Sequence, residues 1–559
     1  MRLRNLWLLA GAGVALTAFS ACKPDSTLTV DNVDQPDVAR AFATPDGIEA
    51  ILRSGFSQIL GATHSTTTAI LPAALVTSFE SYGSVANFGM NLRASIPRPL
   101  IDNNRGNVTA NENFRDFQQL SLRGRTIGNA IKALDKLTAA NGSLGSPVQN
   151  LRARSFGFFA LGLANGEMAL MYDSVGVSLP SMETTDIPPL VAYGDAMVTA
   201  LAQLDSALVL ANAARSATGT NGFPLPTTWL RTAQPTSLDD YIRIVRSTKA
   251  RLRAGVARNP AERTAVNWTE VLNDATNGIQ ANVQLELDNS QGWSSGWLNQ
   301  MAVYQGWHNM PEYIIGMADT SSGYATWLSQ TRAQRAPFLI LTPDKRFPQG
   351  DTRTAQQASS PAANAVLPTV YFRNRPAGED APGDSWANSN YDHVRYRHYR
   401  QQSQIGPWHW MTKTENDMLR AEALIRLNRA SEAVPLINLT REANGLPPFV
   451  TATGRAPAQP GGGATSCVPR TPTGPGNSLE CGSLLEAMKW EKRMETLMSG
   501  YAQWFQDSRG WNDLADKSPT MWPVPYQEMD ARRELFYNSQ TTAQWLAAGN
   551  TYGFGVGNF

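Results

Sequence analysis

Between Met411 and Gly445 the apolar residues form two helical stripes separated by a short turn, which commits this part of the chain to an antiparallel helix pair. Met411, Met418, Ala421 and Ile425 recur at spacings of seven, three and four and so share one helix face. Glu415, Asp417, Arg420, Glu422 and Arg426 fall mostly elsewhere around it. After a turn at Asn428-Arg429, Ala430, Ala433, Val434 and Ile437 make a second stripe. That helix is expected to stop at Asn444-Gly445, where glycine can take the left-handed cap and Pro447-Pro448 cannot continue. Pro435 is expected in or near the first turn, where a missing N–H costs little. Two such helices with small residues at their contact make a tetratricopeptide-type unit.

A Gly/Pro-rich insert at 451–482 follows, and then Leu484, Leu485 and Met488 open a helix carrying Glu491-Lys492-Arg493-Met494-Glu495 before Gly500. Acids and bases three to four apart on a helix ordinarily form exposed pairs worth ~0.2–0.5 kcal/mol. Spacing alone therefore places these charges on a solvated or interdomain face.

Four runs, two of them in this region, resemble the starch-utilisation-D/RagB (SusD-like) family of outer-membrane nutrient-binding lipoproteins. Met418 to Leu424, Ala433 to Asn438 and Arg441 to Pro447 look like its "AEAL…A…LIN…R…GLP" run; Glu491 to Glu495, Gly500 and Trp504-Phe505 look like its "ERR.E…G…WFD.R" helix. Asp344-Lys345-Arg346-Phe347 is similar to its "D.RF", and Trp522-Pro523-Val524-Pro525 to its closing "PIP" strand. Ser499 and Ala502 stand where the family commonly has an acid and an arginine. The resemblance implies a non-enzymatic lid that captures a nutrient, glycan or oligopeptide, and delivers it to a TonB-dependent transporter of the SusC type.

The N-terminus fits that expectation. Arg2 and Arg4 precede an apolar run from Leu6 to Phe19 and then Ser20-Ala21-Cys22. This is the layout of a secretory signal over 1–21, too short for a comfortable membrane span. Cys22 looks like the lipidated cysteine of a bacterial lipobox, and its several acyl chains would hold the protein to the cell outer membrane. Residues 22–33 read as a polar tether.

From 34 to 290 the chain reads as a helical-repeat region. Thr44 can cap a helix whose first turn holds Pro45; further helices are expected from Phe114 to Leu137, Leu151 to Tyr172, Val191 to Leu210, Tyr241 to Val256 and Trp268 to Gln280. Irregularly spaced hairpins define the fold class: mainly α, a degenerate tetratricopeptide-type helical-hairpin solenoid, closed by a C-terminal helical region over 408–559.

Between 291 and 407 the helical pattern fails and aromatic residues crowd in among Gly, Ser and Asn. This irregular, loop-rich and aromatic-rich subdomain is the expected ligand-binding part, because loops on a rigid scaffold usually carry binding. Trp293, Trp297 and Trp307, with Tyr304, are expected to include an exposed platform for a sugar face or a flat side chain.

A net charge of +1 gives no field that would favour nucleic acid. Among five histidines no pair has the spacing of a metal-binding helix, and no nucleophile elbow, phosphate loop or dinucleotide fingerprint is present. No metal site, cofactor or catalytic residue is expected. His393 to His398 reads as a loop anchor. With Cys22 acylated, Cys467 and Cys481 remain as an exported pair and are expected to form a disulfide. A secreted glycan hydrolase, whose paired carboxylates need only be near in space, and a structural helical scaffold without a small ligand are the rival readings.

Overall fold

The computed structural model describes residues 41–538, except 65–68, 83–89, 97, 108–111, 184, 219–221, 305–307, 380–387, 474–477 and 516. Helix α1, Pro45–Thr63, begins where the Thr44 hydroxyl accepts from the Gly47 N–H and Pro45 fills the first turn. It packs against α2, Phe114–Ala139, and α3, Pro147–Met171, and α3 runs along α4, Tyr193–Thr218. Close approach in this layer depends on glycine. A Cβ on Gly162 would lie 2.9 Å from the Ala200 carbonyl oxygen of α4, and one on Gly157 would lie 2.7 Å from Leu52 of α1.

The array continues through α5, Leu238–Gly255, which touches α3 and α4, and α6, Trp268–Thr276, which packs on α5. Helix α7, Lys413–Arg426, then lies against α5 and α6, with α8, Ala430–Ala443, beside it. Helix α9, Leu484–Thr496, closes over α7 and α8. The molecule is thus mainly α and built from helical hairpins that need a neighbour to bury their faces. Some element ends differ from expectation. Helix α4 runs on to Thr218, while Leu190–Ala192 forms a short strand with Ser174–Gly176. Pro435 sits inside α8, past its first turn. Trp522 makes an isolated parallel bridge to Tyr172 instead of lying in a strand.

The α9 charges require a larger correction: Glu491, Lys492, Arg493 and Glu495 are buried. Their partners come from outside the helix. Arg346 Nη1 meets Glu491 Oε2 at 2.9 Å while its Nε and Nη2 hold Asp344 at 2.9 and 2.7 Å. Lys492 Nζ binds Asp507 at 2.8 Å, and Arg493 binds Asp513. Arg263 clamps Glu422 of α7 and reaches Asp507 at 3.0 Å, while Arg251 of α5 clamps Glu415 with two bonds of 2.7 Å. Carboxylates can stay ionised at such depth only when paired this way. Burial alone would raise the Glu422 carboxyl, but the charge and hydrogen bonds of Arg263 overcome it and hold the group down at about 2.

Between α9 and α10, Gln503–Trp511, the backbone turns left-handed three times, at Met498 (φ 56°), Gly500 (φ 61°) and Ala502 (φ 52°). Side chains from the N-terminal layer hold this loop. Glu80 accepts the Met498 N–H at 2.7 Å, His64 Nε2 donates to the Gly500 carbonyl at 2.9 Å, and Tyr501 donates to Asp116. Left-handed non-glycine residues cost ~1–3 kcal/mol each, so they persist only where the surroundings fix them.

Candidate functional site

The helix-poor segment is gathered by an antiparallel strand pair, Val283–Asp288 with Ile405–Met411, which brings its two ends together. Within it lie short elements, among them a π-helical turn at Leu298–Ala302 and a strand pair of Phe372–Asn374 with Tyr391–His393. The glycine- and serine-rich sequence around the tryptophans supports no long helix, and the chain folds back over α1.

That course decides where the expected platform residues go. Trp293 is 8% exposed and Trp297 1% exposed, so neither is the open surface expected of it. Trp293 pairs its backbone with Asp288 and sets its ring 6.1 Å from Phe56 of α1. Trp297 donates its N–H to the His64 carbonyl at 3.1 Å and packs its ring edge-on at 5.7 Å from the His64 ring. Apolar area of this size is better covered by α1 than left in water, and α1 offers Phe56 and His64 at the right places. Tyr304 is half-buried and carries the Arg400 guanidinium 3.9 Å above its ring, while Arg400 Nη1 donates to the Asn299 carbonyl at 2.9 Å. Trp307 and Cys22 lie outside the described residues.

The His393 to His398 cluster is interior. His308 receives the His393 N–H on Nε2 at 3.1 Å and meets Ser81 Oγ through Nδ1 at 2.9 Å. Burial lowers His308 to about 3 and takes His393 well below the ordinary range, so both rings are neutral. Arg395 stacks over Tyr371 at 4.3 Å and ties it to Glu495, whose two oxygens each accept from the Tyr371 hydroxyl at 3.0 Å. Among the described residues no group of three His, Cys, Asp or Glu side chains is placed to hold a metal ion. Cys467 and Cys481 form a disulfide with a Cα separation of 5.7 Å, beside the hairpin of Arg470–Thr473 and Ser478–Cys481.

A cleft of about 600 Å³ opens between α7, α8 and the central segment, lined among others by Lys345, Tyr371, Lys413, Asp417, Leu439 and Glu495. Lys345 belongs to the Asp344-Lys345-Arg346-Phe347 run and Glu495 to the α9 run, so two motifs remote in sequence supply its polar wall.

A helical-hairpin array with one helix-poor, aromatic-rich segment closed by a strand pair defines the class of protein. No protein-family model matches the chain, and no curated protein matches it. Solved structures do. A SusD homolog from Parabacteroides distasonis superposes with a TM-score of 0.51 over 87% of this chain and 92% of its own, at 12% identity. A SusD-like protein from Bacteroides fragilis gives 0.50 over 84% and 86%, at 11% identity. The chain has the SusD-like fold.

Proposed function

We propose that this protein is a surface-exposed lipoprotein of the outer membrane that binds a nutrient, glycan or oligopeptide, and hands it to a TonB-dependent, SusC-type transporter without chemically altering it. The observation that carries the reading is likeness to SusD-like structures over most of the chain, which agrees with the four sequence runs that resemble that family. The signal-like stretch ending in Ser20-Ala21-Cys22 supports the anchor.

For the nutrient site we retain the aromatic segment with its parts reassigned. Tyr304, stacked with Arg400, and Trp307 contact the ligand, while Trp293 and Trp297 are packing residues of the same segment. The test is a screen of neutral glycans and oligopeptides against the full chain, followed by the Tyr304→Ala variant. Binding that weakens in the variant, with no breakdown product, is the expected result. Turnover of a glycan would replace this reading by the hydrolase one, and partner binding with no small ligand would replace it by the scaffold one.

A further inference from the structure

The cleft between α7, α8 and the central segment has none of Trp293, Trp297 and Tyr304 in its lining, and its charges do not cancel. Two carboxylates line it, and both are engaged. Glu495 takes the Tyr371 hydroxyl, Arg395 Nη2 at 3.5 Å and Arg346 Nη1 at 3.6 Å. Asp417 is shared by Lys413 and by Arg420, whose Nη1 lies at 3.4 Å. Deeper in the wall, Glu491 and Asp344 are held by Arg346, and Arg441 Nη1 approaches Glu491 at 3.6 Å. Arg346, Arg395 and Arg441 thus balance Asp344, Glu491 and Glu495, whereas Asp417 faces two cations. Lys345 is exposed at the cleft and has no carboxylate within 4 Å among the described residues. A positive excess is left on the open side.

The rest of the lining says what kind of body would carry the matching charge. Leu436, Leu439 and Ala443 of α8 make an aliphatic wall, with Leu439 60% exposed. Thr369, Thr414, Thr440 and Asn444 contribute short polar side chains. A volume of about 600 Å³ lies in the range of small-ligand sites and suits a few sugar rings or residues. We propose that this cleft is a second binding site, for a carboxylate borne on an apolar or pyranose body, with Lys345 as its charge partner and Lys413 as a secondary one. An acidic oligosaccharide and the free C-terminus of a short peptide both present that chemistry.

Calorimetric titration of the full chain decides the matter, using trigalacturonate against its methyl ester and trileucine against its C-terminal amide. At least one acid is expected to bind roughly tenfold or more tightly than its neutral counterpart, and to weaken with added salt. Lys345→Gln is expected to lose that preference, and Lys345→Arg to restore it. Selective uptake of trigalacturonate assigns the site to acidic sugars; selective uptake of trileucine assigns it to peptide termini. Equal binding of acid and neutral forms, an unchanged preference in Lys345→Gln, or no binding of either acid overturns the proposal. Because Lys345 is exposed, folding of these variants is not in question, and their failure would leave the nutrient reading at Tyr304 untouched.

Discussion

Arg346 and Glu491, 145 residues apart in the chain, meet as a buried ion pair of 2.9 Å that joins the central segment to α9. The same guanidinium holds Asp344, so one cation fixes a turn and a helix at once. Arg346→Met is expected to cost about 3–5 kcal/mol, because it removes the cation that pairs buried Asp344 and leaves Glu491 only the Arg441 cation at 3.6 Å. Denaturant titration measures it. Adding Glu491→Gln should return part of the loss, and strict additivity of the two would show that the pair does not act together.

Glu80 sets a pH dependence. Burial, partly offset by the Met498 N–H, lifts its carboxyl from 4.5 to about 8. Between those values the folded state keeps a proton that the unfolded chain has released, so stability is lost as pH rises through that window. Glu80→Gln keeps an acceptor for Met498 and removes the titration. The Tm of the variant relative to wild type should climb between about pH 5 and about pH 9. A constant difference would mean that Glu80 does not drive the dependence.

Gly162→Ala places a methyl group 2.9 Å from the Ala200 carbonyl oxygen, a backbone atom that cannot rotate away. Helices α3 and α4 must separate, at a cost of about 1–3 kcal/mol. A gain in stability, as alanine would give in an exposed helix, would show that the contact is looser than described.

Trp297 and Tyr304 are expected to part company. Trp297→Ala should lower stability by about 3–5 kcal/mol by emptying a packed site under α1. Tyr304→Ala should change thermal melting little and act on nutrient affinity. The opposite split would return Trp297 to the ligand surface.

Cys22→Ala is expected to release the protein from membrane pellets or to stall its processing. Normal cleavage with unchanged membrane retention would remove the lipid anchor from the proposed function.

The hairpin of α7 and α8 was legible because its stripes follow helical spacing and Gly445, at φ 76°, caps it. The burial of Glu491, Arg493 and Glu495 was not. Charge at helical spacing usually faces water, and the partners that reverse the rule, Arg346, Asp513 and Tyr371, lie in other segments. Trp293 and Trp297 sit in glycine- and serine-rich sequence that reads as open loop, and the helix that covers them is encoded far upstream. The cleft was equally hidden, since Lys345 acquires meaning only when Glu495 and α8 are brought beside it.

The left-handed loop after α9 bears on how the chain is made. His64, Glu80 and Asp116 emerge early, and the groups that satisfy them, Gly500, Met498 and Tyr501, arrive 436, 418 and 385 residues later. Until then these side chains lack the partners that satisfy them in the folded interior, and burying them costs free energy. A chain cut short before Leu497 is therefore expected to stay protease-sensitive however well its own helices form, so that completion of the polypeptide is itself checked by its earliest residues.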